Sequence, residues 1–277
     1  MHVVLPVWAK LNVGLRAVGR RADGYHDLVS IFLRIPSGEA LVIGRAPRDE
    51  VSFAGLGARI DGEDTVSRAL RLAREAGADV PPLKIEVRKA VPPGSGLGAG
   101  SGDAAALLQW LAQGRPDVPW ADVARRVGAD VPFLLSGHAA ALVSGTGDRI
   151  DPVSFPRMRG VVAFPAWDAP TAGTWSAMDE AYGGAWPLDE ASARDEAARI
   201  LRALEAGERL GLLPNDFLAT VGEMRPRYDE LSALFGAAGH VAWGMTGSGS
   251  AAFSLFHTSA RLSWPEWIRQ VLCLSVP

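Results

Sequence analysis

Cysteine is nearly absent from this chain, with one residue, Cys273, in 277. A single thiol excludes internal disulfides, a multi-cysteine zinc site and an iron–sulfur cluster. Lysine is almost as scarce: Lys10, Lys84 and Lys89 are the only three among 28 basic residues. No apolar run reaches the roughly 18 residues of a membrane-spanning helix, and no apolar core follows a basic start. The net charge of −3 gives no basic field for nucleic acid or an anionic membrane. The histidines at 2, 26, 138, 240 and 257 lack metal-ligand spacing. Neither a Walker loop, nor Gly-x-Gly-x-x-Gly, nor Gly-x-Ser-x-Gly occurs, which disfavours P-loop enzymes, dinucleotide folds and serine hydrolases. These absences predict a soluble cytoplasmic protein without nucleic-acid or membrane partners.

Glycine is concentrated. Pro92 to Asp103 reads Pro-Pro-Gly-Ser-Gly-Leu-Gly-Ala-Gly-Ser-Gly-Asp. The alternating run Leu83–Lys89 before it reads as a strand, and the alanine- and leucine-rich stretch 104–112 after it as a helix. Strand, glycine loop and helix bring unpaired backbone N–H groups to the positive end of a helix dipole, where a phosphate is the natural occupant. A flexible linker is the plainer alternative, but a linker does not open at once onto a helix pattern. A second cluster, Met245-Thr246-Gly247-Ser248-Gly249-Ser250, precedes the strand-like Phe253–Phe256. Near the start, Lys10 lies inside the apolar run Val7–Leu15, where an unpaired ammonium is costly.

The length suits one large or two modest domains. Strands are expected near 3–15, 28–35, 40–44, 83–89, 139–143, 160–164 and 253–256. Helices are expected near 65–76, 119–127, 172–182, 189–206, 225–237 and 264–270. Asp64 or Thr65 is placed to cap the first helix and Gly77 to stop it. Val131-Pro132 predicts extended chain after Asp130. Strands and helices mix without a regular βαβ period, so the class is α+β. The proline-rich stretch at 152–156 marks a junction between domains at 1–155 and 156–277.

Taken in order, Ala9-Lys10-Leu11-Asn12, the phosphate-type loop and Thr246-Gly247-Ser248-Gly249 resemble the motifs of the GHMP kinase superfamily. Arg21-Ala22-Asp23-Gly24-Tyr25-His26, Gly128-Ala129-Asp130-Val131-Pro132 and Pro214-Asn215-Asp216-Phe217 are similar to the branch that acts on a cytidylyl-methylerythritol in the non-mevalonate route to isoprenoid precursors. The matches span residues 9 to 256. The resemblance implies a two-domain fold, with an N-terminal domain like domain 2 of ribosomal protein S5 and a ferredoxin-like α/β sandwich at the C-terminus. It implies ATP and Mg²⁺, a monomer or homodimer, and phosphorylation of the substrate's 2-hydroxyl. Lys10 and Asp130 take the catalytic positions, with Asp130 as base and Lys10 paired to it. Pro93, Gly94, Ser95, Gly96, Leu97, Gly98, Ala99, Gly100, Ser101, Gly102 and Asp103 take the nucleotide-loop positions. Asn12, Asp23, Tyr25, His26, Thr171, Trp175, Thr246, Gly247 and Ser248 take substrate positions, with Tyr25 and Trp175 sandwiching cytosine and His26 reading its edge. Tyr25 and Trp175 as core aromatics is the alternative.

The loop departs from the family's usual pattern. Ser95 and Ala99 stand for glycines, Gly102 for a serine and Asp103 for an asparagine. Asp103 adds negative charge near phosphates, which calls for a basic group or Mg²⁺ to offset it. A mevalonate-, homoserine- or sugar-type kinase, or a non-catalytic nucleotide-binding regulator, are the competing readings. Asp23-Gly24-Tyr25-His26 speaks against the former, intact Lys10 and Asp130 against the latter.

Overall fold

The computed structural model describes residues 2–56, 62–167, 169, 171–258 and 262–276, without the side chains of 171 and 172. In chain order the elements are β1 (Val3–Arg20), β2 (His26–Arg45), β3 (Glu50–Gly55), α1 (Thr65–Glu75), β4 (Leu83–Lys89), α2 (Ala99–Ala112), α3 (Trp120–Val127) and α4 (Val131–Ser136). There follow β5 (Ala140–Gly145), β6 (Arg149–Pro152), β7 (Met158–Pro165), α5 (Thr171–Tyr182), α6 (Glu190–Glu205), β8 (Gly211–Leu212), α7 (Arg225–Ala237), β9 (Ala242–Met245), β10 (Ala252–Phe256) and β11 (Ile268–Val276). One sheet has the order β3-β4-β2-β5-β6, with β1 paired to β2; the other runs β11-β7-β10-β9-β8. This is the expected α+β class.

The chain divides into two compact units. Unit 1 is Met1–Lys10, Pro36–Pro93 and Gly98–His138; unit 2 is Leu11–Ile35, Gly94–Leu97 and Ala139–Pro277. This division differs from the boundary expected at residue 155. The reason is the length of β1 and β2, 18 and 20 residues, which carry each strand through both units.

In unit 1, β4 alternates as a half-buried strand should: Leu83, Ile85 and Val87 are buried while Lys84 and Arg88 face out. It lies antiparallel to β2 and parallel to β3, with Ile85 opposite both Ile43 and Val51. Helix α1 begins where Asp64 accepts hydrogen bonds from the Val66 and Ser67 N–H groups, and it buries Val66, Ala69, Leu70, Leu72 and Ala73. In unit 2, β7 lies between β10 and β11, with Ala163 opposite Ala252 of β10 and Val271 of β11. Phe164, Phe217, Phe235 and Phe253 are fully buried there.

Two expectations fail. The helix predicted near 264–270 is instead the approach to strand β11, whose ladder with β7 supplies the backbone partners. Residues 131–136 form helix α4 in place of extended chain. Pro132 sits in the first turn of α4, where its fixed φ suits a helix and its missing N–H costs nothing.

Candidate active site

In unit 1, β1 carries Lys10, which is only 4% exposed. Its ammonium is 3.7 Å from Asp130 Oδ2. Asp130 stands at the N-cap of α4, with its side chain 26% exposed. Burial pushes the Lys10 amine down from its ordinary pKa, and the Asp130 charge and hydrogen bond pull it back up. Gly98 packs against both: a Cβ there would lie 2.6 Å from Asp130 Oδ2 and 3.1 Å from Lys10 Cε. Its φ of +64° is left-handed, so the position favours glycine twice over. Gly98 also caps α2, and no side chain makes a capping hydrogen bond to that helix. The N–H groups of Ala99, Gly100 and Ser101 therefore open at the dipole's positive end beside a lysine, an arrangement suited to phosphate.

Two loop residues turn inward. A Cβ on Gly102 would run into the backbone carbonyl of Trp8, so the serine usual in the family has no room here. Asp103 is buried and receives a 2.7 Å hydrogen bond from Lys89 Nζ. The expected offsetting base is thus a lysine of the preceding strand. Leu97 is a core residue, Ser95 is buried, and Pro93 and Gly94 are exposed.

In unit 2 the two glycine loops interlock. Ser250 N–H donates to the Gly94 carbonyl at 3.1 Å and Ala251 N–H to the Ser95 carbonyl at 3.2 Å. The Thr246 hydroxyl accepts from the Asn12 N–H at 3.0 Å and donates to the Gly96 carbonyl at 3.4 Å. A Cβ on Gly96 would strike the Thr246 carbonyl. Asn12 Nδ2 donates to Ser30 Oγ at 2.9 Å. Asn12, Thr246, Gly247 and Ser248 are all buried. Asn215 accepts from the Phe217 N–H and donates to the carbonyls of Met245 and Gly247, fixing the late loop from its other side.

The turn between β1 and β2 belongs to the same unit. Asp23 Oδ1 accepts from the Tyr25 N–H at 3.1 Å, and Tyr25 is 65% exposed, which sets it apart from core aromatics. His26 Nε2 lies 2.6 Å from Asp179 Oδ1, and its ring stacks on Trp175 with centroids 4.4 Å apart. Trp175 meets Phe217 edge-on and joins the apolar cluster around it. One face of the Trp175 ring is therefore covered by His26. The side chain of Thr171 lies outside the described residues. Asp179, 153 positions from His26, has no local sequence signal; only the fold joins the two.

Residues 64–138 match the family described as "GHMP kinases N terminal domain". The chain is 31% identical to a 4-diphosphocytidyl-2-C-methyl-D-erythritol kinase of Rhodopseudomonas palustris, with 91% of this chain and 88% of the relative covered. It is 36% identical to a kinase of that name from Thermus thermophilus, covering 89% and 85%. A crystal structure of a 4-(cytidine 5'-diphospho)-2C-methyl-D-erythritol kinase aligns with a TM-score of 0.75 at 30% identity, over 99% of this chain and 98% of that one. The L. major mevalonate kinase solved with R-mevalonate aligns with a TM-score of 0.60 at 15% identity, over 97% and 95%. That likeness shows a shared fold.

Proposed function

Since the chain belongs to the 4-diphosphocytidyl-2-C-methyl-D-erythritol kinase family, we propose that it moves the γ-phosphoryl group of ATP to the 2-hydroxyl of 4-diphosphocytidyl-2-C-methyl-D-erythritol. Family membership makes it an ATP-dependent kinase. The acceptor and the residue roles are our reading, and the observation that carries them is the Lys10–Asp130 pair packed on Gly98.

Phosphoryl transfer is mostly positioning and charge neutralisation. The N–H groups at the start of α2 hold phosphate oxygens. Asp130 accepts the proton of the attacking hydroxyl, while Lys10 keeps that carboxylate oriented and offsets the charge that gathers on the transferring oxygens. Tyr25, projected into solvent by its turn, stacks on the cytosine, a contact worth about 1–3 kcal/mol in comparable base platforms. His26 faces the base edge with its ring held by Trp175 and Asp179. Mg²⁺, bound with the nucleotide, would neutralise phosphate charge. Among the described residues no three His, Cys, Asp or Glu side chains converge as a metal cage. Among the described residues no helix is long and apolar enough to cross a membrane.

The test is a coupled ADP assay with ATP, Mg²⁺ and the cytidylyl acceptor, run beside mevalonate and homoserine. Turnover with the cytidylyl acceptor alone, with the product's new phosphorus resonance on the 2-oxygen, supports the reading. Turnover only with another acceptor, or nucleotide binding without turnover, rejects it. Within a working enzyme, Tyr25→Ala should raise the acceptor KM about tenfold, the scale of one lost stack, and leave the ATP KM unchanged.

A further inference from the structure

Lys89, outside the chemistry described above, sits where the chain enters the glycine loop. Its ammonium donates at 2.7 Å to Glu39 Oε2 and at 2.7 Å to Asp103 Oδ2. Asp103 lies in α2, where the chain has just left the loop. The ion pair therefore bridges the two ends of a segment, residues 90–102, that contains every glycine of the loop. Glu39 pins the entry further, since its Oε1 accepts from the N–H groups of Ala90 and Val91 at 3.1 and 3.0 Å. The three side chains are 0%, 11% and 2% exposed for Glu39, Lys89 and Asp103.

Such a cluster is a poor way to add stability. Desolvating buried charges costs about what their attraction returns, and well-packed apolar groups often do better. This one is not even balanced: two carboxylates share one ammonium, and Asp103 Oδ1 has no hydrogen-bond partner. Burial pushes the Asp103 carboxyl up to about 7; the Glu39 and Asp64 charges add to the rise and Lys89 opposes it. What the cluster supplies is registry. A segment with five glycines has much backbone freedom to lose, and fixing its ends removes part of that loss before a ligand arrives.

We propose that Lys89, clamped between Glu39 and Asp103, is a positioning residue for ATP: it buckles the two ends of the glycine loop so that the N–H groups at the start of α2 converge before the nucleotide binds. This rests on the nucleotide reading given above. The buckle touches neither substrate and acts through the loop alone.

Lys89→Met by itself strands two buried carboxylates and risks unfolding. The informative variant is therefore Lys89→Met with Asp103→Asn, checked for a folded circular dichroism spectrum and a cooperative melt. We expect its Kd for a non-hydrolysable ATP analogue and its KM for ATP to rise about tenfold or more, with the acceptor KM changed less than about twofold. Lys89→Arg, which keeps the charge, should hold the ATP KM within about threefold of the parent. An unchanged ATP affinity in the folded double variant overturns the buckle. An equal rise in both KM values overturns it too, since that is the mark of a general structural role. If the parent enzyme itself binds no ATP analogue, the nucleotide reading has failed instead, and the two failures are told apart by that one titration.

Discussion

Two loops of this chain are rich in glycine and serine and meet opposite fates. The early loop ends by leaving the N–H groups of Ala99 to Ser101 without a side-chain cap, beside Lys10 and Asp130. The late loop, Thr246 to Ser250, is buried, and its polar groups are spent on Asn12, Asn215, Gly94 and Gly96. Glycine serves approach in both cases. At Gly98 of the early loop what is approached is a pair of reactive side chains; at Gly249 of the late loop it is the core side chains Met245 and Tyr228. The difference teaches that a glycine-rich run announces close packing, and only its unsatisfied donors announce a ligand.

The largest expected effect tests the early loop's neighbour. Asp130→Asn keeps the shape of the side chain and removes its basicity. We expect kcat to fall at least about 100-fold, the scale for a lost positioned base, while binding of an ATP analogue persists. A kcat near the parent's would remove Asp130 from the chemistry. Next, a matched pair of alanines separates the loops. Gly98→Ala forces a left-handed backbone on a residue whose Cβ would crowd Asp130 and Lys10. Displacement of that pair by even an ångström should cost up to about 100-fold in kcat per folded molecule, with Tm lowered only by the left-handed penalty. Gly249→Ala has the same left-handed penalty, but its Cβ would meet Met245 Sδ at 2.9 Å and Tyr228 Oη at 3.2 Å. It should lower Tm and leave turnover per folded molecule nearly intact. If both variants lose turnover alike at unchanged Tm, the contrast between the loops collapses.

A smaller effect sharpens the same contrast. Thr246→Val preserves shape and deletes the hydroxyl that serves the Asn12 N–H and the Gly96 carbonyl. Leaving buried groups unpaired should cost about 1–3 kcal/mol in a urea melt, and Thr246→Ser should recover most of it. A tenfold change in acceptor KM at full stability would instead return Thr246 to the substrate contacts that the sequence suggested.

Much of this was legible before the fold was known, for physical reasons that differ by element. Strand β4 announced itself through its alternation, and α1 through Asp64 and the spacing of Val66, Ala69, Leu70 and Ala73. Those are local signals of period and capping. The proximity of Lys10 and Asp130 is not local; it followed from a resemblance, and the 3.7 Å separation gives it geometry. What escaped was set by tertiary partners. Ile268–Val276 is a strand because β7 offers its ladder. Gly102 and Asp103 read as phosphate contacts because nothing in the sequence reveals the Trp8 carbonyl above one or Lys89 beside the other. The stack of Trp175 on His26 likewise has no local signal, since 149 positions separate the two.

The mildest prediction concerns acid and sets the two units against each other. In unit 2, His240 is 1% exposed, with Nδ1 2.6 Å from Ser254 Oγ and Nε2 without a partner. Burial, with Arg209 nearby, holds its pKa below the ordinary value of 6.5. As pH falls through 6.5 the unfolded chain takes up a proton that the fold refuses, so stability drops. In unit 1, Asp103 keeps its proton to about 7 when folded and releases it near 3.8 when unfolded. Its contribution is therefore full below 3.8 and is lost as pH rises from there to about 7. Between pH 5 and 6.5 the two slopes oppose each other, each bounded at about 1.4 kcal/mol per pH unit for a single proton. Relative to the parent chain, Asp103→Asn should lose stability more steeply as pH falls through this window, and His240→Gln should lose it less steeply. Urea melts at half-unit intervals read both slopes. Parallel curves for all three chains would show that neither buried group titrates differently in the fold, and that the units share one response to acid.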